Sequence, residues 1–252
     1  MTKICLALSF LISVAASADH APSNNSPSMG QAAVVRFFYK TPKFSNLIEY
    51  KQHTEVDTQK ESGLTLGSRY RLHRNFKAGL FFSRRQGLRH DDDWVKDNNN
   101  DWVWQNTNNR AENFVIFELS PRMLLPFLSG KTWVFEFRMR GERNLENDHN
   151  SLKLKPGLTY FWLKNGAPFM NFFLQYEAYL PLNYGTETIY QTWIYTGFLF
   201  HWSKRFKPGL FFTKYEKKWG PSATFNTSSP GETYLVTESS SILGLSLNIN
   251  FN

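Results

Sequence analysis

Cysteine is almost missing from this chain. Among 252 residues there is one, Cys5, so a fold stapled by disulfides is excluded. Long apolar runs are missing as well. The one sustained stretch, Ile4 to Val14, follows Lys3 and is succeeded by Ala16, Ser17 and Ala18. It is shorter than the roughly 20 residues a helix needs to cross a bilayer. A basic start, an apolar middle and a small-x-small end define a secretory signal peptide, expected to be cleaved after Ala18. Cys5 lies inside that peptide, away from any lipid-attachment position, so the exported chain from Asp19 is expected to have neither a disulfide nor a thiol nucleophile. No metal-ligand spacing, Gly-rich phosphate loop or cofactor fingerprint is present, and no metal or cofactor is expected.

Acidic residues are outnumbered, 21 against 29 Lys and Arg, for a net charge of +8. An exported basic protein meets anionic lipopolysaccharide and anionic solutes rather than nucleic acid. Mean hydropathy is low, at −0.44. That value does not exclude a membrane barrel, whose strands alternate lipid-facing and lumen-facing residues so that the average cancels. Aromatics are abundant, at 17% with 23 Phe, and aromatic girdles mark both interfaces of such barrels.

Residues 1–18 are read as the signal peptide, 19–31 as a Ser-, Asn- and Pro-rich flexible periplasmic leader, and 32–252 as an outer-membrane β-barrel. The barrel reading rests on period-2 alternation. Within 132–143, Trp133, Phe135, Phe137 and Met139 alternate with Val134, Glu136, Arg138, Arg140 and Glu142. Leu64, Leu66, Tyr70 and Leu72 oppose Thr65, Gly67, Arg69 and Arg71, and Leu152, Leu154, Leu158 and Tyr160 oppose Lys153, Lys155 and Thr159. Ten strands are predicted at 44–56, 62–74, 76–87, 110–124, 132–143, 151–163, 169–181, 188–202, 207–217 and 234–251. Short turns then alternate with longer polar loops, the asymmetry of outer-membrane barrels, and an even strand number leaves both termini in the periplasm. Residues 32–40 either extend the first strand through a bulge or add a strand to a twelve-stranded closure. Phe76, Trp133, Trp162, Phe169, Trp202 and Phe206 flank the short turns as a candidate periplasmic girdle, with Trp94, Tyr184 and Trp219 on the loop side. An echo links Asn75-Phe76-Lys77-Ala78-Gly79-Leu80-Phe81-Phe82 to Arg205-Phe206-Lys207-Pro208-Gly209-Leu210-Phe211-Phe212 and is explained by shared turn geometry.

The last strand alternates Leu243, Leu245, Leu247, Ile249 and Phe251. It resembles the terminal signal that outer-membrane barrels present to the barrel-assembly machinery, with Phe251 penultimate where that aromatic is usually final. The resemblance to outer-membrane barrels spans nearly the whole exported chain and implies an outer-membrane location. The segment from Ile48, IEYKQH, followed by SRYRLHRNFKAGLFFSRR, resembles the oligogalacturonate-specific porins, which implies a small barrel with basic lumen residues facing acidic sugars.

With these faces, the lumen is expected to carry Lys51, Arg69, Arg71, Arg122, Arg138, Arg140, Lys153 and Lys155, together with Glu49, Glu118, Glu136, Glu142 and Glu177. Charges inside a barrel must be paired or wet. A wet lumen would make a porin-like channel favouring small anionic solutes. Interlocked ion pairs would make a plugged, structural or adhesive barrel whose loop 87–109 touches lipopolysaccharide. A third reading, an omptin-type hydrolase, would use His90-Asp91-Asp92-Asp93 or Asp148-His149 at the outer rim; the protein is expected not to be an enzyme, and no catalytic residue is assigned.

Overall fold

The computed structural model describes residues 28–54, 60–87, 93–96, 102–105, 111–128, 132–183, 189–219 and 236–251. Eleven strands close into one barrel. They are β1 (Ser28–Lys40), β2 (Phe44–Thr54), β3 (Lys60–His73), β4 (Phe76–Gln86), β7 (Ala111–Leu124), β8 (Trp133–Asn144), β9 (Asn150–Lys164), β10 (Ala167–Pro181), β11 (Gln191–Phe200), β12 (Phe206–Trp219) and β13 (Val236–Phe251). Two four-residue strands, β5 (Asp93–Lys96) and β6 (Trp102–Gln105), pair only with each other inside the predicted loop 87–109. Among the described residues the one helical element is a 3-10 turn at Pro126–Leu128, and no helix is long and apolar enough to cross a membrane.

Each of the ten predicted strands is present. Their connections divide between a short-turn rim, with 41–43, 74–75, 125–132, 165–166 and 201–205, and a long-loop rim, with 55–59, 87–110, 145–149, 182–190 and 220–235. The two-residue turn at Asn165-Gly166 has φ of 54° and 75°. Two successive positive φ values are those of a type I′ hairpin, and Asn-Gly adopts them at the least steric cost.

The strand count is eleven, between the ten and twelve predicted, because 32–40 belong to a strand of their own. It begins at Ser28, four residues before the predicted barrel boundary. β1 lies between β2 and β13, antiparallel to the first and parallel to the second, with Ser28 beside Ser240 and Tyr39 beside Phe251. An even strand count predicts that the first and last strands begin and end at one rim, and the strands described do not. β13 ends at the short-turn rim, where Asn250 N donates to Arg205 O at 2.8 Å, whereas Ser28 lies toward the long-loop rim. An even count follows only if every neighbouring pair is antiparallel, and one parallel seam removes that condition.

The faces are inverted relative to a barrel folded in water. Leu80, Leu174 and Leu245 point outward and are 62%, 55% and 63% exposed, whereas Glu118 and Glu142 point inward and are 1% and 3% exposed. Trp162, Phe169, Phe200 and Trp202 form a chain of outward ring contacts at 5.5, 4.9 and 6.4 Å beside the short turns. Trp133 lies 4.9 Å from Tyr160 in the same belt. Of the rings predicted for the loop side, Tyr184 and the side chains of Trp94 and Trp219 lie outside what the structure describes.

The sequence echo marks a packing device rather than a turn alone. Phe81 and Phe211 both point inward, and each lies directly opposite a glycine of the preceding β-strand, Gly67 and Gly197 respectively. A methyl group on Gly67 would come 2.6 Å from Phe81 Cδ1. One on Gly244, the other neighbour of Phe211, would come 2.1 Å from Phe211 Cζ. Each ring thus lies flat across glycine backbone, which covers strand surface with no side chain of its own. Gly244→Ala is expected to lower stability by about 1–3 kcal/mol through overpacking. Urea unfolding should show most of that loss disappearing in a Phe211→Ala background; an equal loss in both backgrounds would mean that the ring is not the obstacle.

Candidate functional site

The candidate site is the barrel interior, and strand parity places its side chains. A cavity of about 560 Å³ runs up the interior from the short-turn end, and 12 of the residues lining it are Lys or Arg against four Glu. Of the predicted lumen residues, Lys51, Arg69, Arg122, Glu136, Arg138, Arg140, Lys153 and Lys155 line this cavity, as do Glu49 and Glu177. Glu118 and Glu142 lie behind that lining, covered by the cations they bind. Arg71 shares the inward parity of Arg69 but stands exposed at the short-turn rim, outside the cavity lining.

Charge is organised around carboxylates at successive heights. Glu118 on β7 accepts hydrogen bonds from Arg69 Nε at 2.6 Å, Arg140 Nε at 2.7 Å and Ser120 Oγ at 2.9 Å. Arg138 Nε lies 3.9 Å away from it, and Arg138 Nη2 donates to Glu136 at 3.0 Å. Glu142 on β8 accepts from Arg85 Nη1 at 2.7 Å and Nη2 at 3.1 Å, and Lys153 Nζ lies at 2.9 Å. Lys155 pairs with Glu177 at 3.0 Å, Arg36 with Glu49, and Lys51 with Glu61 at 3.8 Å. The cross-strand neighbours Arg138 and Lys155, and likewise Arg140 and Lys153, carry like charge. Like charges directly opposite are destabilising, and the carboxylates from β7, β8 and β10 offset them.

Aromatic rings take up the space left by these charges toward the long-loop rim. Trp193 stacks on Tyr215 at 4.6 Å and on Tyr195 at 5.7 Å, and His53 meets Trp193 edge-on at 5.8 Å. Ala32 and Ile242 complete this buried cluster. Leu47, Phe81, Phe114 and Ile116 form a second. Cations lie over ring faces throughout: Lys155 over Tyr195 at 3.5 Å, Arg85 over Phe114 at 4.4 Å and Arg69 over Phe81 at 4.9 Å. A second, smaller cavity of about 80 Å³ lies here. Lys51, Glu61, Arg85, Lys153, Glu177 and Tyr195 line both cavities and form the neck between them.

Several interior cations were not picked out from the sequence: Arg36, Lys40, Lys77, Arg85 and Lys207. Parity holds the signal for four of them, since Lys77 and Arg85 are an even number of residues from Phe81 and Lys207 from Phe211, while Arg36 is even-spaced from Lys40. At the rim, His201 shares a 2.8 Å hydrogen bond with Asn171 Oδ1. Burial, and then the nearby charge of Lys207, hold its imidazole below the ordinary histidine value.

On the long-loop side, Asp148 occupies a turn at φ 57°, and its carboxylate accepts a 2.6 Å hydrogen bond from Arg143 Nη2. Asn183 Nδ2 donates to the Asp148 carbonyl at 3.0 Å. Residues 90–92 of the acidic run lie outside the described residues. Among the described residues no cluster of three or more His, Cys, Asp or Glu could hold a metal ion.

Fold and interior together define a closed all-β barrel, apolar outside and charged within. No protein-family model matches the chain, and no curated protein matches it.

Proposed function

We propose that this protein is an outer-membrane β-barrel that passes small anionic solutes through a basic lumen. The observation that carries the reading is the inversion of its faces. Large apolar patches left in water are rare on soluble proteins, while an outward apolar band with aromatic girdles around a polar interior is the arrangement a bilayer requires. The short-turn rim then faces the periplasm and the long-loop rim faces lipopolysaccharide, with the strand ending at Phe251 offered to the assembly machinery. Inside, Lys and Arg outnumber Glu on the cavity wall. Such a wall concentrates anions and repels cations.

One observation favours a second reading, a barrel that stays shut. At the neck, Arg85 and Lys153 are both held by Glu142 and Lys155 by Glu177, and the rings around Trp193 fill space beside them. Planar bilayers separate the two. Refolded protein is expected to give discrete conductance steps in KCl. Persistently silent bilayers, with folding verified by circular dichroism, would overturn the channel and leave the shut barrel.

A further inference from the structure

The interior cations are not all treated alike. In the middle and toward the long loops, each cluster is built on a carboxylate. At the short-turn end the carboxylates give out. Lys77 and Arg122 on neighbouring strands β4 and β7, and Lys207 on β12 across the barrel, form no ion pair among the described residues. Among the described residues, Lys40 at the end of β1 donates only to the neutral Asn250 Oδ1, at 2.6 Å. Arg71 faces Lys77 directly across the β3–β4 register, like charge against like charge. Glu136 is opposite Arg122 in register but is bound by Arg138 instead.

These cations share one space. Lys40, Lys77, Arg122 and Lys207 all line the larger cavity, together with Ser45, Ser120, Asn171, His201, Asn248 and Asn250. The charges of Lys77 and Lys207 both act on Lys40, and those of Arg122, Arg69 and Arg71 act on Lys77, with Glu136 the one carboxylate opposing them. Cations gathered against a low-dielectric wall raise the local potential and draw in counter-ions. One chloride cannot match four positive charges set around a mouth. A compact anion with several charged oxygens can, because ammonium groups, a guanidinium fork and neutral amide and hydroxyl donors suit oxygen acceptors in different directions.

We propose that the short-turn mouth is a binding site for a small polyvalent oxyanion, of the phosphate or polycarboxylate class, held by Lys40, Lys77, Arg122 and Lys207. The inference rests on reading the barrel as an anion path, and it adds a direction to that path: a vestibule that captures polyvalent anions at one end, ahead of a charge-paired neck.

Inorganic pyrophosphate is the probe. In bilayers of neutral lipid, pyrophosphate added on the short-turn side is expected to block chloride current at a concentration roughly 10-fold or more below that needed on the long-loop side, the difference worth about one charge-assisted hydrogen bond. Lys77→Gln with Lys207→Gln should raise the blocking concentration by roughly 10-fold per cation removed. Equal block from both sides, or block unchanged by the double substitution, would overturn the site. Calorimetric titration of pyrophosphate into refolded protein in detergent makes the test independent of conduction. Silent bilayers with binding that the double substitution weakens would remove the channel and keep the site. Absence of binding by the wild-type barrel in the titration would remove the site even if the channel conducts.

Discussion

Replacing Glu118 with Ala is expected to lower the unfolding free energy by about 3–5 kcal/mol, the range for a buried charge cluster that loses one partner. Glu118 is 1% exposed and is the one carboxylate bound by both Arg69 and Arg140. Without it those guanidiniums, with Arg138 beside them, are left as like charges on neighbouring inward positions, and Ser120 Oγ loses its acceptor. Repulsion adds to the cost of the vanished hydrogen bonds. The partial exposure of the Arg138 and Arg140 side chains, 25% and 24%, allows some screening, which favours the lower end of the range. Urea titration in lipid vesicles, followed by tryptophan emission, measures the loss. A double variant, Glu118→Ala with Arg140→Ala, should recover part of it, because the two changes act on one contact. A loss below about 1 kcal/mol would place the cluster with exposed ion pairs that water already screens.

Val35→Pro is expected to prevent barrel closure. Val35 lies in β1 with Tyr50 of β2 on one side and Leu247 of β13 on the other, so it belongs to the strand that joins β2 to β13. Proline there has no N–H to donate, and its ring disturbs the ladder on a strand paired along both edges. Elsewhere in an open sheet such damage is local. In a closed barrel it falls on the seam, and in the proposed membrane location each edge it exposes would turn unpaired backbone groups toward hydrocarbon. The folded form, recognised by its different gel mobility before and after boiling, should be lost or reduced to a minor fraction. Wild-type yield of folded Val35→Pro protein would contradict the parallel seam.

That seam was the least legible part of the fold. Strands such as β8 announce themselves because one face is apolar and the other charged, and inversion of the usual soluble pattern does not disturb the period. In β1 the contrast fails. Outward Ala33, Val35, Phe37 and Tyr39 alternate with inward Ala32, Val34, Arg36, Phe38 and Lys40, so both faces are largely apolar, and Pro42 then suggests a break. Its inward side can be apolar because Ala32 packs into the Trp193, Tyr215 and Ile242 cluster. Nothing within 32–40 could reveal that neighbour, which is more than 150 residues away in sequence.

The interior was legible as a set of residues and not as a set of partnerships. Alternation placed Arg69, Arg138, Arg140, Lys153 and Lys155 on the inner wall. It could not pair Arg69 with Glu118 or Arg85 with Glu142, contacts made across 49 and 57 residues of chain. Arg84 and Arg85 are adjacent and chemically identical, yet Arg84 is outward and exposed while Arg85 binds Glu142. Only parity counted from Phe81 separates them. The unmatched cations at the short-turn end emerge last, since their significance depends on which carboxylates are already taken.

Ion selectivity follows most directly from a basic lumen. The reversal potential of refolded wild-type protein in planar bilayers under a KCl gradient gives the chloride-to-potassium permeability ratio of the proposed channel. A lumen wall in which Lys and Arg outnumber Glu predicts a ratio above one, falling when Arg122 is changed to Glu. A ratio at or below one in the wild-type protein would contradict it.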